Sequence, residues 1–176
     1  MRQRLASWIF WVFVIGTAFI LGAGIYEQLV VVPFWAGDAP RSLMESNPLL
    51  RVPLRAGHVF WPIVTPGVGL LALAAFVTSF VTPRRQMAWR LASTGLFLIT
   101  VVATRTYFVP NIINMVVYHG AGQAADVLAG HARMWAALNW VRAGAVVACL
   151  ALGVRALTVS HDKNEENRKF VQEKAA

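Results

Sequence analysis

The chain has 176 residues, 57% of them apolar and 14% charged, with a formal net charge of +8 and a mean hydropathy of +0.56. A soluble domain carries roughly a quarter charged residues, and a chain this short has too little interior to hide four helices that are apolar on every side. The composition therefore excludes an ordinary soluble domain. The basic excess does not mark a nucleic-acid surface either, because the charges fall between apolar segments rather than in a patch.

About 20 apolar residues cross the hydrocarbon core as a helix, and four segments are long enough. The first runs from about Trp8 to Phe34 with Glu27 as its only charge. Arg2 and Arg4 precede it, and Gly22-Ala23-Gly24 resembles a signal-peptide cleavage site. The apolar run continues to Trp35, however, so the segment is read as a retained helix. The second segment, from about Val59 to Thr82, is uncharged. The third starts near Met87, is interrupted by Arg105, and is bent or ended near Pro110. The fourth runs from about Ala132 to Thr158 and carries Arg133, Arg142 and Arg155. Backbone groups in lipid must be satisfied within the segment, so all four are helices. The expected fold is all-α: a four-helix transmembrane bundle over residues 1–159 with a polar tail over 160–176.

Arg2, Arg4, Arg84, Arg85, Arg90, Arg155, Lys163, Arg168, Lys169 and Lys174 lie on one side of the bundle, and Arg41, Arg51, Arg55 and Arg133 on the other. This asymmetry predicts both termini in the cytoplasm, with a bacterial inner membrane the expected location. The long connection between spans one and two, Trp35 to His58, contains Pro40, Pro48 and Pro53 and reads as a cap on the outer end. Residues 116–130 form a second outer segment that could be a short helix lying on the bundle. The seven tryptophans sit mostly near span ends, as interfacial tryptophans do. Cys149, the single cysteine, reads as a small packing residue.

Ionisable residues inside spans are costly and normally face the bundle interior with a partner. Here they share one depth. Glu27 is near the outer end of span one, and His58 opens span two. Arg105, Tyr107, Asn111 and Asn114 occupy the outer end of span three. In span four, His131, Trp135, Asn139 and Arg142 fall at about 0°, 40°, 80° and 20° around the helix, one face that should point inward. Gly16, Gly22 and Gly24 precede Glu27 and would let helices approach closely. These residues together imply a polar pocket in the outer half of the bundle. Each group also has a plainer reading: a buried ion pair of Glu27 with Arg105 or Arg142 that only sets helix register, amides that only bridge helices, and histidines that only reach for interfacial water.

Three stretches carry a resemblance. The first is the glycine-rich end of span one, from Gly16 to Tyr26 and on to Pro33. The others are Val109-Pro110-Asn111-Ile112-Ile113-Asn114, and Trp135 to Arg142 with Asn139 between. Over roughly residues 8–158 the chain resembles the anthrone-oxygenase-like family of small four-helix membrane proteins, much of it known only as a domain of unknown function. Some fungal relatives are linked to oxygenation of anthrones to anthraquinones. The resemblance implies a shared site at Asn111, Asn114, Trp135, Asn139 and Arg142. It supplies no role for Glu27 or the histidines.

Two functions fit these residues. One is a membrane oxidoreductase or oxygenase acting on a lipophilic aromatic or quinone-like molecule. Arg105 or Arg142 would stabilise a developing oxyanion and Glu27 or His131 would move the proton. Tyr107, Asn111, Asn114, Trp135 and Asn139 would bind the substrate. Glu27, His58 and His131 are also of the right donor type for a metal, and two histidines could serve a haem. No dinucleotide-binding motif is present. The other function is non-enzymatic: a lipid- or lipophile-binding protein or an accessory membrane subunit. The expected partners are membrane lipid and a lipophilic small molecule, with no nucleic acid.

Overall fold

The computed structural model describes the backbone of residues 1–37, 39, 41–44, 48–117 and 123–175, and the side chains of 1–37, 39, 41, 42, 57, 59–115 and 123–159. The described residues are helical almost throughout and include no strand. Four stretches are long and apolar enough to cross a membrane: Arg2–Ala36, Val59–Ser79, Arg84–Met115 and Ala125–Val159. The four-helix reading of the sequence therefore holds, as does the multi-pass membrane character it implies.

The first stretch is α1 (Arg2–Tyr26), a π turn (Glu27–Val31) and α2 (Val32–Ala36). A short α3 (Arg41–Met44) comes next, held to α2 by the Ser42 hydroxyl, which donates to the Trp35 carbonyl at 2.8 Å. Helix α4 (Pro48–Ser79) is the second crossing. The third is α5 (Arg84–Ala103), a π turn (Thr104–Phe108), α6 (Val109–Ile112) and another π segment (Ile113–Val117). Helix α7 (Ala125–Ala175) is the fourth crossing and continues unbroken into the polar tail. Of the outer segment read from sequence over 116–130, residues 116 and 117 continue the third crossing. Residues from Ala125 onward are already part of α7, and 118–122 lie outside the described residues.

The π turns arise from two prolines. Pro33 and Pro110 have no amide to donate, and each ring crowds the preceding turn. In lipid the freed carbonyls have no water to accept from. The helix answers by widening just ahead of each proline. The Val32 amide reaches back to the Glu27 carbonyl, and the Val109 amide to the Thr104 carbonyl. Span three thus passes Pro110 without ending, where the sequence allowed either a bend or a stop.

Helices α1, α4, α5 and α7 pack in a ring, each against its chain neighbours, with α1 closing on α7. Near the chain termini the interior is apolar, built on Phe10, Phe13, Val14, Val68, Phe97 and Cys149. At the opposite end a second apolar cluster is built on Val32, Trp35, Phe108, Met115, Leu128 and Trp135. Gln28, Asn139 and Arg142 lie between the two, whereas Arg90, Ser93 and Thr94 are buried at the near end. Trp8, Trp11 and Trp140 are exposed as expected of interfacial side chains, but Trp35 and Trp135 are buried. Their rings meet edge to face at 5.2 Å and form part of the core.

Of the close approaches expected from sequence, the one at Gly16 is present and those at Gly22 and Gly24 are not. Gly22 and Gly24 have open space where a Cβ would stand, and at Gly16 a Cβ would stand 3.2 Å from Val68. The tightest fit between helices is at Gly153, where a Cβ would lie 2.9 Å from Val14 and 3.3 Å from the Ser93 hydroxyl. Beside it, Ser93 donates to the Cys149 carbonyl at 2.7 Å, joining α5 to α7. Gly153→Leu should destabilise the detergent-solubilised protein by about 1–3 kcal/mol through overpacking, read as a lower unfolding temperature. Gly22→Ala should leave it unchanged.

Candidate functional site

The middle layer is polar. From span one, Gln28 is buried, and its side-chain amide donates to the Ala136 carbonyl of α7 at 3.0 Å. Its oxygen accepts from the Asn139 amide at 2.6 Å. Asn139 is buried on the same α7 stripe as Leu128, Ala132 and Trp135, and its Oδ1 has no partner among the described residues. One helical turn before Asn139, the Trp135 indole donates to the Phe108 carbonyl at 3.0 Å, tying α7 to the π turn of span three.

Arg142 reaches into the same layer. Its guanidinium donates to the Thr104 hydroxyl at 3.3 Å and lies over the Phe108 ring at 5.0 Å. Thr104 in turn donates to the Thr100 carbonyl at 2.7 Å, so its oxygen faces the arginine as an acceptor. Glu27, first residue of the π turn in span one, lines the same cavity as Trp61 of α4 and as both Arg105 of span three and Arg142 of α7.

These groups line a cavity of about 160 Å³. Glu27 and Val31 come from span one, and Gly57, Trp61, Pro62 and Thr65 from α4. Thr104, Arg105, Phe108, Val109, Ile112 and Ile113 come from span three, and Trp135 and Arg142 from α7. The wall is mostly apolar, with a carboxylate, two guanidinium groups and two hydroxyls set into it. A smaller chamber of about 40 Å³ lies against it, bordered by Gly24, Phe97, Thr100 and Asn139. The two share Trp61, Thr65, Thr104 and Arg142 as a common wall.

Of the residues singled out from sequence, Glu27, Arg105, Trp135 and Arg142 line the main cavity and Asn139 the smaller one. His131 does not line either cavity. It is exposed, because the buried stripe of α7 is centred on Leu128, Ala132, Trp135 and Asn139. That stripe is about 70° around the helix from His131; Arg142, also on its flank, has the length to reach inward. His131 therefore stands outside both cavities. Tyr107, Asn111 and Asn114 line neither cavity. Asn111 spends its amide on the Tyr107 carbonyl of its own helix at 2.7 Å, and Tyr107 packs on the distal apolar cluster. The His58 side chain lies outside the described residues, as does His119. Among the described residues no group of three or more His, Cys, Asp or Glu is placed to hold a metal.

Gln28, Trp61, Thr65 and Thr104 were not anticipated as site residues. Gln28 carried a usable signal, being an amide in an apolar run beside that span's only carboxylate. The threonines carried none, since threonine in a membrane helix commonly bonds its own backbone, as Thr17 does here. No family profile matches the chain, and no curated protein or solved structure matches it.

The amide bridge gives a sharp thermodynamic expectation. Asn139→Leu should cost about 1–3 kcal/mol, because it strands the buried Gln28 oxygen. The double variant Gln28→Leu, Asn139→Leu should cost less than the sum of the two single variants, since neither partner is then left unpaired. Unfolding of the four proteins in mild detergent measures the difference.

Proposed function

We propose that the protein is a membrane oxidoreductase or oxygenase that acts on a lipophilic aromatic or quinone-like molecule. The observation that carries this reading is that Glu27, Arg105 and Arg142 share the wall of an otherwise mostly apolar cavity. An apolar wall suits a ring. A guanidinium already oriented by Thr104 and Phe108 suits an oxygen that gains negative charge, and needs little reorganisation as that charge develops. A carboxylate within the same cavity can accept the proton released when that oxyanion forms. Arg105, also on the wall, is a second cation available to the ligand.

The resemblance to the anthrone-oxygenase-like family supports an aromatic substrate with an acidic C–H or O–H. On that reading Glu27 takes the proton, Arg142 holds the enolate or phenolate oxygen, and Trp135 and Asn139 shape the site. We also place both termini in the cytoplasm of a bacterial inner membrane. With Arg90 buried inside the bundle, the sequence still assigns nine Lys and Arg residues to that side against four opposite. The cavity then lies in the outer half of the membrane.

The mostly apolar lining favours one alternative, a lipophile-binding protein without turnover. Proteoliposomes supplied with oxygen and either anthrone or a short-chain benzoquinol separate the two. An enzyme should consume one of them, Arg142→Gln should slow it about 10²–10³-fold, and Glu27→Gln about 10²–10⁴-fold. His131→Ala should leave the rate unchanged. Probe binding that depends on Arg142, with no turnover and no effect of Glu27→Gln, would establish the binding protein. Neither binding nor turnover of either probe would defeat both readings.

A further inference from the structure

We propose that the cavity opens sideways into the membrane between α4 and the distal half of span three, and that its ligand is a single-ring compound whose apolar tail lies in lipid. The proposal rests on the reading of the cavity as a lipophile site.

The walls are unequal. Lining residues from the π turn of span one and from α7 are buried or half-buried, whereas Pro62 of α4 and Arg105 of span three are exposed. The opening therefore lies between those two elements. Their packing agrees. Helix α4 packs closely on α5, as at Gly69 against Val101 and at Phe76 against Gly95. Among the described residues it makes no comparably extensive contact with Thr104–Phe108, Val109–Ile112 or Ile113–Val117. The two crossings are packed near the chain termini and diverge beyond Ala103.

The cause of the divergence is local. The π turn ahead of Pro110 adds a residue to the helix and redirects the segment beyond it, and such insertions are a recognised origin of kinks. On the other side of the gap, Pro62 and Pro66 interrupt the amide ladder of α4. Outside the gap the surface is made for hydrocarbon, with Val59 and Ile63 of α4 largely exposed.

Volume sets the ligand class. A cavity of about 150 Å³ admits one benzene ring, and this one is about 160 Å³. One ring fills it. A larger lipophile must leave the remainder outside, and the apolar exit that the geometry provides leads into the membrane. A ring bearing an oxygen, with that oxygen toward Arg142 and a tail passing between Val109 and Pro62, satisfies both the wall and the opening.

The test uses nitroxide labels on Val109→Cys and Ile113→Cys, each in a Cys149→Ala background and in bilayers. Collision with lipid-soluble oxygen is compared with collision with a water-soluble nickel chelate. Labels at Ile63→Cys and Arg85→Cys serve as lipid and water references. The expected oxygen-to-nickel ratio at both sites is close to that at Ile63 and severalfold above that at Arg85. A decyl-tailed benzoquinone should then lower oxygen access at both labels, while the same ring without a tail should lower it far less. A nickel-dominated ratio would mean a mouth open to water and would overturn the portal. Low access to both reagents would mean a sealed wall and overturn it equally. A portal open to lipid whose labels respond to neither quinone would overturn the ligand class. The functional reading fails separately, by the Arg142→Gln and Glu27→Gln rates.

Discussion

Two amides that do not exist organise the distal half of this bundle. A proline in a soluble helix leaves a carbonyl that water can satisfy, whereas in a membrane crossing the chain must satisfy it or hide it. Pro33 and Pro110 sit in two crossings at corresponding places, each one residue after a valine whose amide closes a π turn. The turn ahead of Pro33 opens with Glu27 and the one ahead of Pro110 with Thr104. The polar groups of the site thus stand where the backbone is already widened. The cavity forms where two widened helices cannot pack closely on their neighbours.

Around that constraint the structure is layered. An apolar interior near the termini fixes the four helices against one another, with Gly153 and Ser93 setting the closest distance. The amide bridge from Gln28 to Asn139 and the indole bond from Trp135 to Phe108 hold the middle. Trp35, Trp135 and Phe108 close the far end with edge-on rings. Arg142 is consequently held before any ligand arrives, by the Thr104 hydroxyl and the Phe108 ring.

Much of this was legible in the sequence. The crossings are marked by length and hydropathy, and the layer by the rarity of Glu27, Asn139 and Arg142 in apolar surroundings. What could not be read was rotation. His131 shares a nominal face with Arg142, yet only the longer side chain reaches the interior. The Tyr107–Asn111–Asn114 row has helical spacing, but its polarity does not reveal that Asn111 is satisfied within its own helix. A π turn also shifts the phase of everything beyond it, so a regular projection of span three fails at the residues nearest the site. Gln28 is hidden in the sequence by its neighbour, since a carboxylate in an apolar run is the rarer signal of the two.

Arg90 has a bearing on how the chain is made. It is buried near the start of α5, with its guanidinium 4.6 Å from the Phe10 ring and donating to the Ala6 carbonyl at 3.3 Å and the Ser7 hydroxyl at 3.4 Å. All three partners belong to the first turns of α1, which leaves the ribosome long before Arg90 does. The buried cation of the third crossing is thus accommodated by a segment about eighty residues earlier in the chain, so a change at Ala6, Ser7 or Phe10 is felt at the start of span three.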